Sequence, residues 1–246
     1  MAKVTVITAT TGNPLLADCI ESVAKQTHAD IQHLVIVDGL EREGAFNHIT
    51  GSMQLDDLAN VQILTLPYSI GKDRWNGHRI YAAGTYIAEG DYVMFLDDDN
   101  AIEPNHIQEC LEVISKGNQW AYSMRKIRNK NKEVLCLDDC ESLGKWSSVL
   151  DPNDYFVDVN CYFLPRPVAV SITPVWFRKF REPGQMEIDR AIMHVLRQIA
   201  PKYDTTYGYT VRYTVGNSQH SVQADFFKRG NAEMLRRYGG KLPWKF

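Results

Sequence analysis

The string FLDDDN at residues 95–100 sets three adjacent carboxylates, Asp97, Asp98 and Asp99, at the end of the apolar run YVMFL. Neighbouring like charges repel, and apolar packing gives no reason for them. A divalent cation does, because hard cations take oxygen ligands and offset the repulsion. Side chains alternate along an extended segment, so Asp97 and Asp99 share one side. That spacing suits a metal held by few protein ligands, with positions left for a diphosphate. A solvated turn leading into a helix also uses Asp and Asn, so the triplet alone leaves both readings open.

The elements that must position this triplet alternate between strand and helix. Residues 3–8 read as a buried strand ending in the polar turn Thr10-Thr11-Gly12-Asn13, and Pro14 is placed to open a helix. Leu34–Val37 is a second buried strand, closed by Asp38-Gly39, and Val61–Leu66 a third. Residues 73–88 predict a helix, 92–96 the fourth strand, and Pro104 opens a helix through about Ser115. This alternation predicts a parallel sheet covered by helices on both faces. Ligands of such sheets bind beyond the carboxyl ends of the strands, which places residues 8–13, Asp38 and Asp97–Asp99 on one rim. The second half is less regular. Segments 119–124, 134–137, 157–164 and 207–215 read as strands and 126–133 as a polar turn, while 186–199 and 222–238 read as helices.

Residues 4–38 and 84–99 together resemble family 2 glycosyltransferases of the GT-A fold. Cys19, Ser22, Gln26 and Thr27 match the pattern of the first helix. Asp38-Gly39 closes the second strand as the family does. Ala88, Gly90, Tyr92, Phe95, Leu96, Asp97 and Asp99 match the segment that ends in Asp-x-Asp. The likeness is strong over residues 3–110 and thin afterwards. Two departures stand out. Val37 precedes Asp38 where the family usually has an acid, and Tyr81-Ala82 stand where it often has Arg-Asn.

The resemblance implies an α/β chain with one Rossmann-like, mostly parallel sheet flanked by helices. It implies a single domain over 1–246, with residues 1–115 binding the nucleotide sugar and 116–246 the acceptor. The implied activity is inverting transfer of a sugar from a nucleoside diphosphate, UDP favoured, to a hydroxyl of a glycan, glycolipid or other acceptor. Asp99 would ligate Mn²⁺ or Mg²⁺, and Asp97 would hold the ribose or a metal-bound water. Asp98 would face the ribose or the sugar. Asp38 would accept a hydrogen bond from the base, and Thr8 and Thr10 would contact base or ribose. Arg79, or Lys72 or Arg74, would supply charge to the diphosphate. The family's general base falls in GQMEIDRAIMHVL (184–196), where Asp189 aligns best and Glu187 competes. Asp158 is a further carboxylate for the donor sugar, and His220 a late metal ligand. Trp176, Tyr207 and Tyr209 are candidates to stack on an acceptor sugar, although aromatics more often build core.

Composition sets limits on this reading. With 27 basic and 30 acidic residues the net charge is −3, so nothing draws the chain to nucleic acid. Five cysteines without metal spacing read as reduced thiols. No run of 18 apolar residues exists, and residues 3–9 read as a strand rather than a leader. The expected location is the cytoplasm, with peripheral contact at the inner face of a membrane as a variant. Three rival readings remain. A haloacid-dehalogenase-type phosphatase also uses Asp-x-Asp, but after its first strand. A nucleotidyltransferase expects a basic, Gly-rich first turn, and ATTGNP has one Gly and no Arg or Lys. The third is a catalytically silent sugar-nucleotide-binding module.

Overall fold

The computed structural model describes residues 2–73, 75–178, 187–216 and 222–245. In chain order the first half runs β1 (Val4–Thr10), α1 (Leu16–Ala24), β2 (Ile31–Val37), α2 (Glu43–Thr50), β3 (Val61–Thr65), α3 (His78–Ile87), β4 (Tyr92–Phe95), β5 (Ala101–Ile102) and α4 (His106–Ser115). The second half runs β6 (Trp120–Arg128), β7 (Val134–Leu137), β8 (Tyr162–Pro165), α5 (Arg166–Ser171), α6 (Thr173–Trp176), α7 (Ile188–Ile199), β9 (Tyr203–Thr214) and α8 (Ala224–Arg237).

All these strands join one sheet in the order β3-β2-β1-β4-β8-β6-β9-β5, with β7 paired to β6. Strands β1 to β4 are mutually parallel, and β6 and β9 run the same way. Strands β5, β7 and β8 run against them. The sheet is therefore mostly parallel, as the alternation predicts. Every residue of β2 is buried, as both-face coverage requires.

Local sequence explains the elements that carry the rim. Asn13 Oδ1 accepts the Leu15 N–H at 2.9 Å, turning the chain into α1. Leu16, Cys19, Ile20 and Val23 then bury one helical stripe. Gly84 lets α3 lie close to β1, since a Cβ there would stand 2.8 Å from Ile7 Cγ2. Helix α7 buries Ile188, Ala191, Ile192 and Leu196, which leaves Asp189 on its flank in the first turn.

The structure departs from the sequence reading at several elements, and strand β5 and helices α5 and α6 are among those not foreseen. Helix α2 was not foreseen, because only Phe46 of its residues is buried and its apolar stripe is thin. Strand β6 runs on to Arg128 through residues expected to turn. Of the strand expected over 157–164, only Tyr162–Pro165 is extended in the sheet, and Val159–Cys161 form a single 3₁₀ turn. All five cysteines are free, as expected.

Candidate active site

The carboxyl ends of β1 and β4, the start of α3, the turn before β8, the start of α7 and the end of β9 enclose a cavity of about 660 Å³. Thr10, Asp38, Asp97, Asp98, Asp99, Asp158 and Asp189 all line it, together with His78, Tyr81 and Tyr213. Six carboxylates from four separate stretches of chain thus converge on one space.

The triplet after β4 is held differently at each position. Asp97 Oδ1 accepts the Tyr81 hydroxyl, and its Oδ2 accepts Asn160 Nδ2 at 2.8 Å. Burial raises the Asp97 carboxyl above the ordinary range and the charge of Asp158 adds to this, against the hydrogen bonds from Tyr81 and Asn160. Asp98 Oδ2 accepts Thr10 Oγ1 at 2.7 Å. Burial pushes its carboxyl up to about 6, the Thr10 hydrogen bond opposes the rise, and the Asp97 charge reinforces it. The backbone of Asp99 is pinned from β6 and β9, its carbonyl accepting Thr214 Oγ1 at 2.5 Å and Arg128 Nη2 at 3.2 Å.

Asp189 also lines the cavity, and its side chain keeps 29% of its surface. Its Oδ1 is shut off from solvent and accepts no hydrogen bond from the described residues. Burial pushes this carboxyl up to about 8, and the charges of Asp158, Asp97 and Glu187 add to the effect. His78, also on the wall, is held down to about 4 by burial and is neutral at ordinary pH.

Several expected site residues lie elsewhere. Thr8 shares a strand face with Thr10 but sits two residues deeper. It is fully buried, and its hydroxyl pairs with His33 Nε2 at 3.0 Å. Arg79 stacks its guanidinium 3.6 Å from the Trp75 ring centroid and does not line the cavity. Glu187 points to solvent with 78% of its side chain exposed, paired to Arg190 at 3.1 Å. Asp38 does reach the cavity, but its carboxylate accepts Ser69 Oγ, Ile70 N and Gly71 N at 2.7–3.0 Å and so fastens that loop. Lys72 is exposed. Trp176 is core, packed against Tyr81 and Phe95. Tyr209 gives its hydroxyl to Asp139, and Tyr207 packs on the apolar cluster beneath α8. His220 and Arg74 lie outside the described residues.

Other residues at the site were not foreseen. Arg125 is buried and meets Asp138, Glu141 and Asp158 at 2.8, 2.7 and 2.5 Å. Arg128 is buried against Asp18 at 2.6 Å while it holds Asp99. For Tyr81, the departure from the family's Arg-Asn was itself a signal. Asn160 carried no signal that single-sequence reading uses.

The donor set fits a hard divalent cation, since every candidate ligand on this wall is a carboxylate oxygen. Among the described residues no three His, Cys, Asp or Glu side chains are grouped to hold a metal by themselves. A cation that keeps waters and shares substrate phosphates needs only one or two carboxylates. It would also offset the crowding of negative charge at Asp97 and Asp98.

The model of glycosyl transferase family 2 matches residues 5–135, more than half of the chain. The chain belongs to this family and is a glycosyltransferase. Its fold is GT-A. The chain is similar to S. aureus TarS 1–349, with a TM-score of 0.59 at 14% identity over 96% of this chain and 71% of that one. The complex of the same protein with UDP-GlcNAc gives 0.60 at 16%, over 95% and 66%. Mannosyltransferase PcManGT from Pyrobaculum calidifontis, in complex with GDP-Man and Mn²⁺, gives 0.60 at 11%, over 98% and 66%. No curated protein matches the chain. Among the described residues no helix is long and apolar enough to cross a membrane.

Proposed function

We propose that this glycosyltransferase moves a sugar from a nucleoside diphosphate to an acceptor hydroxyl with inversion at the anomeric carbon. The observation that carries the reading is Asp189, a carboxylate with 29% of its side chain exposed and no hydrogen bond to Oδ1 among the described residues, on the wall of a cavity that also holds Asp97, Asp98 and Asp99. The acceptor oxygen bonds to the anomeric carbon as the bond to the diphosphate breaks on the opposite face. Asp189 takes the acceptor proton, and the nucleoside diphosphate leaves. A positioned base of this kind is worth about 10²–10⁴ in rate.

Asp99 and Asp97 would hold Mn²⁺ or Mg²⁺, which neutralises charge on the leaving diphosphate. Asp98 and Thr10, joined by their hydrogen bond, face the donor from the β1 rim. Residues 1–115 contribute the donor wall, and 116–246 contribute Asp158, Asp189 and Tyr213. We favour UDP as the nucleotide, as in the TarS complex, with GDP as the competitor because PcManGT is seen with GDP-Man. A glycan or glycolipid hydroxyl is the acceptor, in polysaccharide or related synthesis at or near the cytoplasmic side of a membrane.

The test is a screen of nucleoside diphosphates by thermal shift with and without Mn²⁺, followed by turnover of the preferred nucleotide's sugar donors. Metal-dependent binding with turnover supports the enzyme. A silent nucleotide-sugar module is the second reading, favoured by the raised carboxyl of Asp189, which keeps the ligand-free base protonated at neutral pH. Binding without turnover even above pH 8 would select it.

A further inference from the structure

We propose that Asn160 is the positioning residue of the donor site, its amide fixing Asp97 in the orientation that binds the nucleoside diphosphate. This rests on reading the cavity as the nucleotide-sugar site.

Asn160 is buried, in the 3₁₀ turn that precedes β8. Its Oδ1 accepts the backbone N–H of Asp97 at 2.7 Å. Its Nδ2 donates to Asp97 Oδ2 at 2.8 Å and to Asp158 Oδ1 at 2.7 Å. One planar head therefore grips both the main chain and the carboxylate of Asp97. Tyr81 takes the remaining Asp97 oxygen, so the side chain has no freedom left to turn.

The chemistry demands an amide at this position. Asparagine offers one acceptor and two donors in a plane, and all three are used. Reversing the amide would set its oxygen against two carboxylates, so the network fixes its orientation. A carboxylate at residue 160 would add a third negative group within 2.8 Å of the other two. An aliphatic residue would leave the Asp97 N–H and two carboxylate oxygens short of a partner in the interior, which is costly.

The grip is itself anchored. Asp158 accepts the Asn160 backbone N–H at 3.0 Å and pairs with Arg125 at 2.5 Å. A continuous chain of contacts thus runs from the buried guanidinium of Arg125 through Asp158 and Asn160 to Asp97. Groups that orient a metal-binding or phosphate-facing carboxylate in this way typically govern affinity by about 10–100-fold.

The test uses the full chain with UDP and Mn²⁺ in calorimetry, and donor turnover at varied UDP-sugar. Asn160→Ala is expected to weaken UDP binding by about 10–100-fold and to raise KM for the donor with kcat little changed, the mark of lost binding rather than lost chemistry. The near-isosteric Asn160→Asp should weaken binding at least as much, because it places a charge where a donor is needed. Native binding retained in both folded variants overturns the proposal and leaves the site reading intact. A fall in kcat with unchanged KM overturns it as well. A native protein that binds no nucleoside diphosphate overturns both. If neither variant folds, the native Asn160 side-chain amide is read by NMR: broadening on addition of Mn²⁺ with UDP supports the proposal, and an unaltered signal overturns it.

Discussion

His78 Nε2 stands 3.7 Å from Asp189 Oδ1, beyond hydrogen-bond reach, and among the described residues no other group pairs with that oxygen. As the proposed base, Asp189 would meet the acceptor with a neutral imidazole beside it. Asp189→Asn should preserve UDP binding and lower sugar transfer by about 10²–10⁴. Turnover against binding on one preparation checks this, and unchanged turnover would shift the base to Asp158.

The same carboxyl makes stability depend on pH. Its value is raised from 3.8 to about 8 in the folded chain, so the native state holds the proton more tightly than the unfolded state. The contribution is fully present below the unfolded value and is lost as pH rises through the folded one. Asp189→Asn should therefore melt at a higher temperature than the native protein near pH 9, with the gap closing toward about pH 4. A gap that is the same at every pH would show that Asp189 titrates as an ordinary carboxyl.

Asp99→Ala should remove metal-dependent UDP binding, with a loss of at least about 10–100-fold. The companion measurement is native affinity with and without EDTA. Equal affinities in the two conditions would end the metal role of the triplet.

Arg125 serves three carboxylates at once in the interior. Arg125→Ala strips Asp138 and Asp158 of this cation and leaves Glu141 with Arg190 at 3.4 Å, and breaking a buried ion pair by removing one partner costs about 3–5 kcal/mol. Denaturant unfolding measures this, and a loss below about 1 kcal/mol would mean that water replaces the guanidinium.

Glu187→Gln is the contrasting case. The side chain is mostly in solvent and touches only Arg190 among the described residues. Stability should stay within about 0.5 kcal/mol and transfer should be unaltered. A large loss of transfer would return Glu187 to the list of bases.

What could be read from the sequence follows from where the physics is local. Strands β1, β2 and β4 announce themselves as apolar runs with acids or turn residues at their ends, so the rim and the Asp97–Asp99 triplet were legible. Asp189 was singled out through the family resemblance, and the structure puts it on the cavity wall. Arg125 and Arg128 were missed because charged residues read as solvated, and their partners lie up to 110 positions away in Asp18. Thr8 was misplaced because alternation gives the face of a strand but not the depth along it. Glu187 and Asp189 are two residues apart, yet one faces water and the other the cavity, a distinction that depends on how α7 docks.

The way Asp38 is fastened has a bearing on donor choice. Its oxygens already receive three protons from residues 69–71, so most of its acceptor capacity goes into holding that loop while it still lines the cavity. Changing Asp38 should slacken that strap: an affinity loss shared by uridine and guanosine donors marks the strap alone, and a loss confined to one of them marks recognition of the nucleobase.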